Sequence, residues 1–264
     1  MRATQQKILD LLAELGAEVS LADFQGLLFL HCRREALPRF EFVPAPRGAY
    51  SFTAAAELEK LVNAGHVTRS GQAIRLGEGR EKEPQRGALD PALRLRGDEL
   101  EAAVRAQLPA VDSVHTGGPR LYTIGYEGRS LEAYLNALLA AKVTTLCDVR
   151  KNALSRKFGF SKRTLQRACA DVGLGYRHLP ELGIDSELRR SLVTQADYDA
   201  LFERYARTTL AAQAEAVKEL GSSLAAGEAI ALTCYERLPE QCHRQSLGIA
   251  MQTICRLTGP LQHS

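Results

Sequence analysis

The sequence has no uninterrupted apolar run approaching the roughly 20 residues that a membrane-spanning helix requires, so it reads as a chain with no membrane contact. It has no Cys-x-x-Cys pair, and six cysteines in 264 residues (Cys32, Cys147, Cys169, Cys234, Cys242, Cys255) do not make a disulfide framework. The start, Met1-Arg2-Ala3-Thr4-Gln5-Gln6-Lys7, leads into an amphipathic helical pattern in place of a signal-peptide core. Together these absences predict a cytoplasmic protein. Gly-x-Gly-x-x-Gly is also missing, so the turn Gly125-Tyr126-Glu127-Gly128 is not a dinucleotide fingerprint. Between Val149 and Ala170 there is no Asp or Glu, while seven Lys or Arg occur (Arg150, Lys151, Arg156, Lys157, Lys162, Arg163, Arg167). That run is a candidate anion-binding face, with an ordinary solvated surface as the plainer alternative.

What is present, 45% hydrophobic and 25% charged residues, is the composition of a soluble globular protein long enough for one large or two ordinary domains. Residues 1–77 read as helix, helix, short strand, helix and hairpin. Ile8, Leu11, Leu12 and Leu15 share a face before Gly16, and Ser20 can cap a second helix. Phe40-Glu41-Phe42-Val43 runs into a Pro44-to-Gly48 turn, and Ser51 or Thr53 can start a third helix. His66–Arg69 and Gln72–Leu76 alternate around Ser70-Gly71 as a hairpin would. This order resembles a winged helix-turn-helix, including the winged-helix-like modules of some bacterial antitoxin and phage-defence proteins. Residues 1–118 carry 15 Lys+Arg against 16 Asp+Glu, which is not the basic balance of a phosphate-binding domain. DNA binding therefore competes with a scaffold or a homodimerisation surface.

Residues 78–118 read as a charged, Gly- and Pro-containing linker with a bridging helix at Asp98–Leu108, and residues 119–264 as a second domain. From Arg120 strands and helices alternate. Strands are expected at Leu121–Ile124, Val143–Val149, Gly175–Leu179 and Glu228–Thr233, with helices starting after Ser130 and Ser161, a long helical region over Tyr198–Leu220, and a final helix after Cys242. The fold class is thus α/β, a mostly parallel sheet with helices on both faces, preceded by a smaller winged-helix-like α+β domain.

Open sheets of this class bind ligands at the carboxyl ends of their strands. Those ends carry Tyr126, then Asp148 and Arg150, then His178, then Cys234 and Glu236, so four separate segments deliver polar groups to one rim. Four ordered motifs lie here: Leu121-Tyr122-Thr123-Ile124-Gly125-Tyr126, Leu146-Cys147-Asp148-Val149-Arg150, His178-Leu179-Pro180-Glu181-Leu182-Gly183, and Leu232-Thr233-Cys234-Tyr235-Glu236 leading to Cys242-His243-Arg244. Over roughly Arg120 to Thr258 they resemble the bacterial domain of unknown function 488 family. The resemblance implies a fold and a site but no reaction, and the family pattern has His where this chain has Tyr126.

Three mechanisms fit these residues. In one, Asp148 and Glu236 are an acid–base pair with His178 nearby, and Tyr126, Arg150, Arg156, Lys157, His243 and Arg244 bind a nucleic acid or nucleotide for base or glycosidic-bond chemistry. In another, Cys234 is a thiolate nucleophile at a strand end, although Arg follows it at three and ten positions and not at the six of a Cys-x5-Arg phosphate cradle. In the third, Cys234, Cys242 and His243, with His178 as a further candidate ligand, bind a metal, for which the ligand types suit zinc although the Cys-x7-Cys-His spacing is not standard. Plainer roles stand beside them: Asp148 and Arg150, two apart on a strand, point to one side and could be a structural ion pair. A non-catalytic DNA-binding regulator or ligand sensor is the rival of a different class.

Overall fold

A computed structural model describes residues 1–34, 39–77, 90–108, 120–190, 192–256 and 261–263. The chain forms two compact units, Met1–Ala110 and Val111–Ser264.

In the first unit, α1 (Ala3–Leu15) buries Ile8, Leu11, Leu12 and Leu15 and ends at Gly16, whose φ of 58° is one that a Cβ disfavours. β1 (Val19–Ser20) leads directly into α2 (Leu21–Cys32), where the Ser20 hydroxyl accepts from the Asp23 N–H at 2.9 Å. β2 (Val43–Ala45) and β3 (Gly48–Tyr50) pair antiparallel, a hairpin where the sequence reads only a strand and a turn. α3 (Phe52–Asn63) is capped by Ser51, and β4 (Val67–Ser70) and β5 (Ala73–Leu76) form the expected hairpin. The antiparallel sheet has the order β1-β5-β4. A 3-10 turn at Pro91–Arg94 and α4 (Gly97–Arg105) follow. Leu93, Leu100 and Val104 are buried in this unit's core, so the helix expected to bridge packs here. The charged parts of the expected linker, 78–89 and 109–119, lie outside the described residues.

The second unit is an α/β layer structure. Its strands are β6 (Arg120–Gly125), β7 (Thr145–Asp148), β8 (Gly175–His178), β9 (Ala229–Cys234) and β10 (Gln262–His263). All neighbours are parallel, in the order β10-β6-β9-β7-β8. Helices α5 (Leu131–Ala140) and α6 (Lys162–Asp171) connect the strands on one side of the sequence order, and α7 (Gln195–Tyr205), α8 (Ala214–Ala225) and α9 (His243–Ile254) make the return. β9 is buried at every position, which is why it reads as a continuous apolar run and not as an alternating one.

Alternation along the strands divides the sheet's two faces. Cys147, Ile230 and Leu232 pack into one core with Val217, Leu220 and Leu224 of α8 and Leu247 and Met251 of α9. Thr233 points the other way, where the Tyr134 hydroxyl of α5 donates to its Oγ1 at 2.8 Å. The single long helix expected over 198–220 is instead α7, a π turn at Ala206–Leu210, and α8. Among the described residues no helix is long and apolar enough to cross a membrane.

Candidate functional site

The connections fix where a site can form. From β6 and β7 the chain moves toward β8, whereas from β9 it turns back through α9 to β10. Adjacent strands whose connections leave in opposite directions open a crevice at their carboxyl ends, the usual place for a ligand in such sheets. The ends of β6, β9 and β7 are Gly125, Cys234 and Asp148.

Two clusters of side chains occupy this edge. The first is a buried polar network around Asp148. Arg150 donates from Nε to Oδ1 at 2.8 Å and from Nη2 to Oδ2 at 2.5 Å, and the Tyr176 hydroxyl donates to Oδ2 at 2.7 Å. Nη1 of Arg150 reaches both the Tyr126 hydroxyl and the Phe160 carbonyl at 2.8 Å. Burial opposes the Arg150 charge, but the Asp148 carboxylate outweighs it and holds the guanidinium protonated. The same surroundings, burial first and then the Asp148 charge, push the Tyr176 phenol up. Tyr126 stacks on Phe160 with ring centroids 4.3 Å apart.

The second cluster lies between β9 and the start of α9. Cys234, Cys242 and His243 are all buried, and their ligand-type atoms lie within 4.8 Å of one another. His243 Nδ1 is 3.9 Å from the Cys234 Sγ and 3.9 Å from the Cys242 Sγ. Its Nε2 lies 2.9 Å from the Val149 carbonyl, which can only accept, so Nε2 carries the proton and Nδ1 offers a lone pair to the two sulfurs. The Cys234 thiol is held well below its ordinary value by hydrogen bonding from Cys242, and Arg189 adds to it against the penalty of burial. Cys242 moves the opposite way, raised by burial and by its partner, so the two thiols titrate as a coupled pair.

Glu236 and Arg189 form the outer wall. Glu236 Oε2 is 3.3 Å from the Cys234 Sγ, and its Oε1 pairs with Arg189, whose Nη1 lies 3.9 Å from that sulfur. The Glu236 side chain is 15% exposed and that of Arg189 21%, so the cluster opens to solvent through these two. Arg189 ends a 3-10 turn at Ser186–Arg189, 45 positions before Cys234, and sequence reading missed it because nothing local marks it.

Fully buried Arg244 holds the loop in place, donating to the carbonyls of Glu236 at 2.6 Å and Arg237 at 3.0 Å. Gly125 leaves room for that loop, since a Cβ there would collide with the Glu236 carbonyl oxygen. Gly125→Ala is therefore expected to cost about 1–3 kcal/mol, the usual penalty for overpacking, and to loosen the Cys234–Glu236 geometry. Thermal melting of the purified variant checks the first effect, and metal titration the second.

Of the residues singled out from sequence, Cys234, Cys242, His243 and Glu236 come together, and Asp148, Arg150 and Tyr126 form the adjoining network. His178 joins neither set of ligand atoms: its Nε2 binds the Arg150 carbonyl at 2.9 Å. Lys157 Nζ donates to the Tyr126 carbonyl at 2.9 Å, while Arg156 is exposed. The remaining thiols of this unit's interior are inert: burial pushes Cys147 and Cys169 up to about 12. No curated protein and no solved structure matches the chain. Residues 130–250, which contain both clusters apart from Tyr126, match the model of the family described as Domain of unknown function DUF488.

Proposed function

We propose that the second unit is a zinc-dependent hydrolytic enzyme whose metal is held by Cys234, Cys242 and His243. The observation that carries this reading is the geometry around the His243 Nδ1. Zinc bonded at about 2.3 Å to sulfur and about 2.0–2.1 Å to nitrogen in a tetrahedron requires S···N edges of about 3.6 Å. The two S···N distances here are 3.9 Å, close to that edge without rearrangement of the loop. The Val149 carbonyl acts on His243 as an outer-shell partner normally does, fixing the tautomer and aiming the lone pair.

When bound, zinc supplies Lewis acidity and an activated water. The chain's own contribution is Glu236. With one oxygen on Arg189 and the other 3.3 Å from the Cys234 Sγ, it lies beside the three residues that would hold the metal and could take and return a proton there. Two thiolates, an imidazole and a neighbouring carboxylate that is not a required ligand are the groups that zinc-dependent hydrolysis of nucleobase amino groups employs. Asp148 is read here as a positioning residue, since both of its oxygens are engaged by Arg150 and Tyr176. A second reading rests on the lowered Cys234 thiol: without metal, the same group is a thiolate nucleophile.

Metal content separates the two readings. Untagged wild-type protein is expected to carry about one zinc per chain by elemental analysis, and Cys242→Ser to carry almost none. Glu236→Gln is expected to keep the metal and lose at least a hundredfold in turnover. A metal-free wild type whose cluster also fails to take up added zinc would leave the thiolate reading in its place.

The first unit is read as winged-helix-like. Its order α1–β1–α2–β2–β3–α3–β4–β5, with the β2–β3 hairpin set between the second and third helices, and its sheet order β1-β5-β4 support that assignment. The charges on and beside α3 are matched within the unit, Glu59 with Arg69 at 2.8 Å and Glu57 with Lys60 at 2.7 Å, which favours a scaffold role over a DNA-reading one.

A further inference from the structure

The segment 151–167 carries six Lys or Arg and no Asp or Glu. Lys151, Arg156, Lys162, Arg163 and Arg167 are exposed, and none of them meets a carboxylate among the described residues. Some exposed cations elsewhere are paired, as in Arg69–Glu59 at 2.8 Å, Arg105–Glu101 at 2.7 Å and Lys218–Glu215 at 2.8 Å. Lys162 and Arg163 also occupy the first turn of α6, which has no acid, so they add to the positive end of the helix. An anion relieves that accumulation.

Two large apolar side chains in the same loop face solvent, Leu154 at 77% exposure and Phe158 at 49%. The loop itself is fixed from within. Arg150 donates to the Phe160 carbonyl at 2.8 Å, Lys162 N–H to the Ala153 carbonyl at 2.8 Å, and the Ser161 hydroxyl both accepts from Ser155 N–H and donates to the Ser155 carbonyl. It also borders the thiol–imidazole cluster: Lys157 holds the Tyr126 carbonyl, and the Tyr126 ring meets the Tyr235 ring edge-on at 5.4 Å. Tyr235 lies between Cys234 and Glu236 in sequence and is 45% exposed.

We infer that this surface binds single-stranded nucleic acid, with phosphates along the unpaired cations and bases against Phe158 and Tyr235. Exposed aromatic faces beside a cationic track suit unpaired bases, which a duplex hides within its stack. A membrane surface fits less well, because such contacts use a helix with an exposed apolar face, and the apolar residues of α6 (Leu165, Ala168, Cys169) are buried. Binding stands apart from the zinc reading; only the fate of the bound strand rests on that reading.

The test is fluorescence anisotropy of the full-length protein with a labelled 20-nucleotide DNA strand and with its duplex, in chelator. Single-strand contacts contribute about −0.7 each to the slope of log K against log salt, so five cations give a slope of about −3.5. Lys162→Gln/Arg163→Gln is expected to weaken binding at least tenfold at 100 mM salt and to flatten the slope by about 1.4. Phe158→Ala is expected to weaken it at least fivefold with the slope unchanged. Arg207→Gln, on the π turn, is expected to bind as wild type, and the chelator keeps a failure of the zinc reading distinct. No binding at 20 mM salt, equal losses in Arg207→Gln, or a duplex bound as tightly as the single strand would overturn the inference. So would retention on phosphatidylserine vesicles without oligonucleotide binding.

Discussion

Arg150→Met is expected to destabilise the second unit by about 3–5 kcal/mol, the cost of leaving one member of a buried ion pair without its partner. Asp148 is fully buried and would keep only the Tyr176 hydroxyl and the Arg150 N–H, the latter at 3.2 Å. The Tyr126 hydroxyl and the Phe160 carbonyl would lose their donor at the same time. The double variant Asp148→Leu/Arg150→Met removes both charges and is expected to recover part of the loss, because the desolvated carboxylate is what costs most. The urea midpoint of the transition belonging to the second unit reports both effects. A shift below about 1 kcal/mol in the single variant would mean that water reaches Asp148 and that the network does not brace the site.

The second large effect is linkage between metal and stability. With free zinc at a thousandfold above its dissociation constant, the folded state gains about 4 kcal/mol, and a strong chelator is expected to remove that gain. In the chelated protein the thiol pair sets a pH dependence of its own. Cys234 is depressed in the folded state, so below the ordinary thiol range near 8.5 the unfolded chain binds the proton that the folded chain lacks. Stability from this group is therefore fully present above that range and is lost as pH falls through the depressed folded value. Cys242 is raised, so above the same range the folded chain keeps a proton that the unfolded chain has released, and stability falls again. The chelated protein is thus expected to show a maximum in this contribution near the ordinary thiol value, and Cys242→Ser, which lacks the coupled partner, to lose it. Urea midpoints measured in chelator from pH 6 to pH 10 decide the matter; a flat profile would mean that the two thiols do not titrate as a coupled pair.

Much of the second unit could be read from sequence because its signals are local. Ser130 caps α5, β9 is a continuous apolar run, and the Pro239 turn separates that run from α9, so strand, loop and helix follow from neighbouring residues. The Cys234–Cys242–His243 cluster was legible for a similar reason, since Cys242 and His243 are adjacent and Cys234 ends the preceding strand. Asp148 and Arg150 could be seen to share a side, but not that Tyr126, Phe160 and Tyr176 close the network from three other segments. Arg189 and β10 were missed on the same ground. Arg189 reaches Cys234 only through the tertiary fold, and a two-residue strand at Gln262–His263 carries no periodicity at all. The π turn at 206–210 keeps a helical pattern on both sides and so hides the break.

The strand order carries one more consequence, for how the chain acquires its shape. β6 and β7 follow one another in sequence, yet they do not pair: β9 lies between them and pairs Leu121 with Ile230 and Leu146 with Ala231. A growing chain that has reached α8 holds two strand edges waiting for a third strand more than 100 residues downstream of the first. Pairing over such separations is slow, because loop-closure entropy is lost before any contact compensates for it. Insertion of β9 is accordingly expected to be the late step of folding. Cys234, at its tip, is among the last residues to arrive, so until then neither the thiol pair nor the crevice exists.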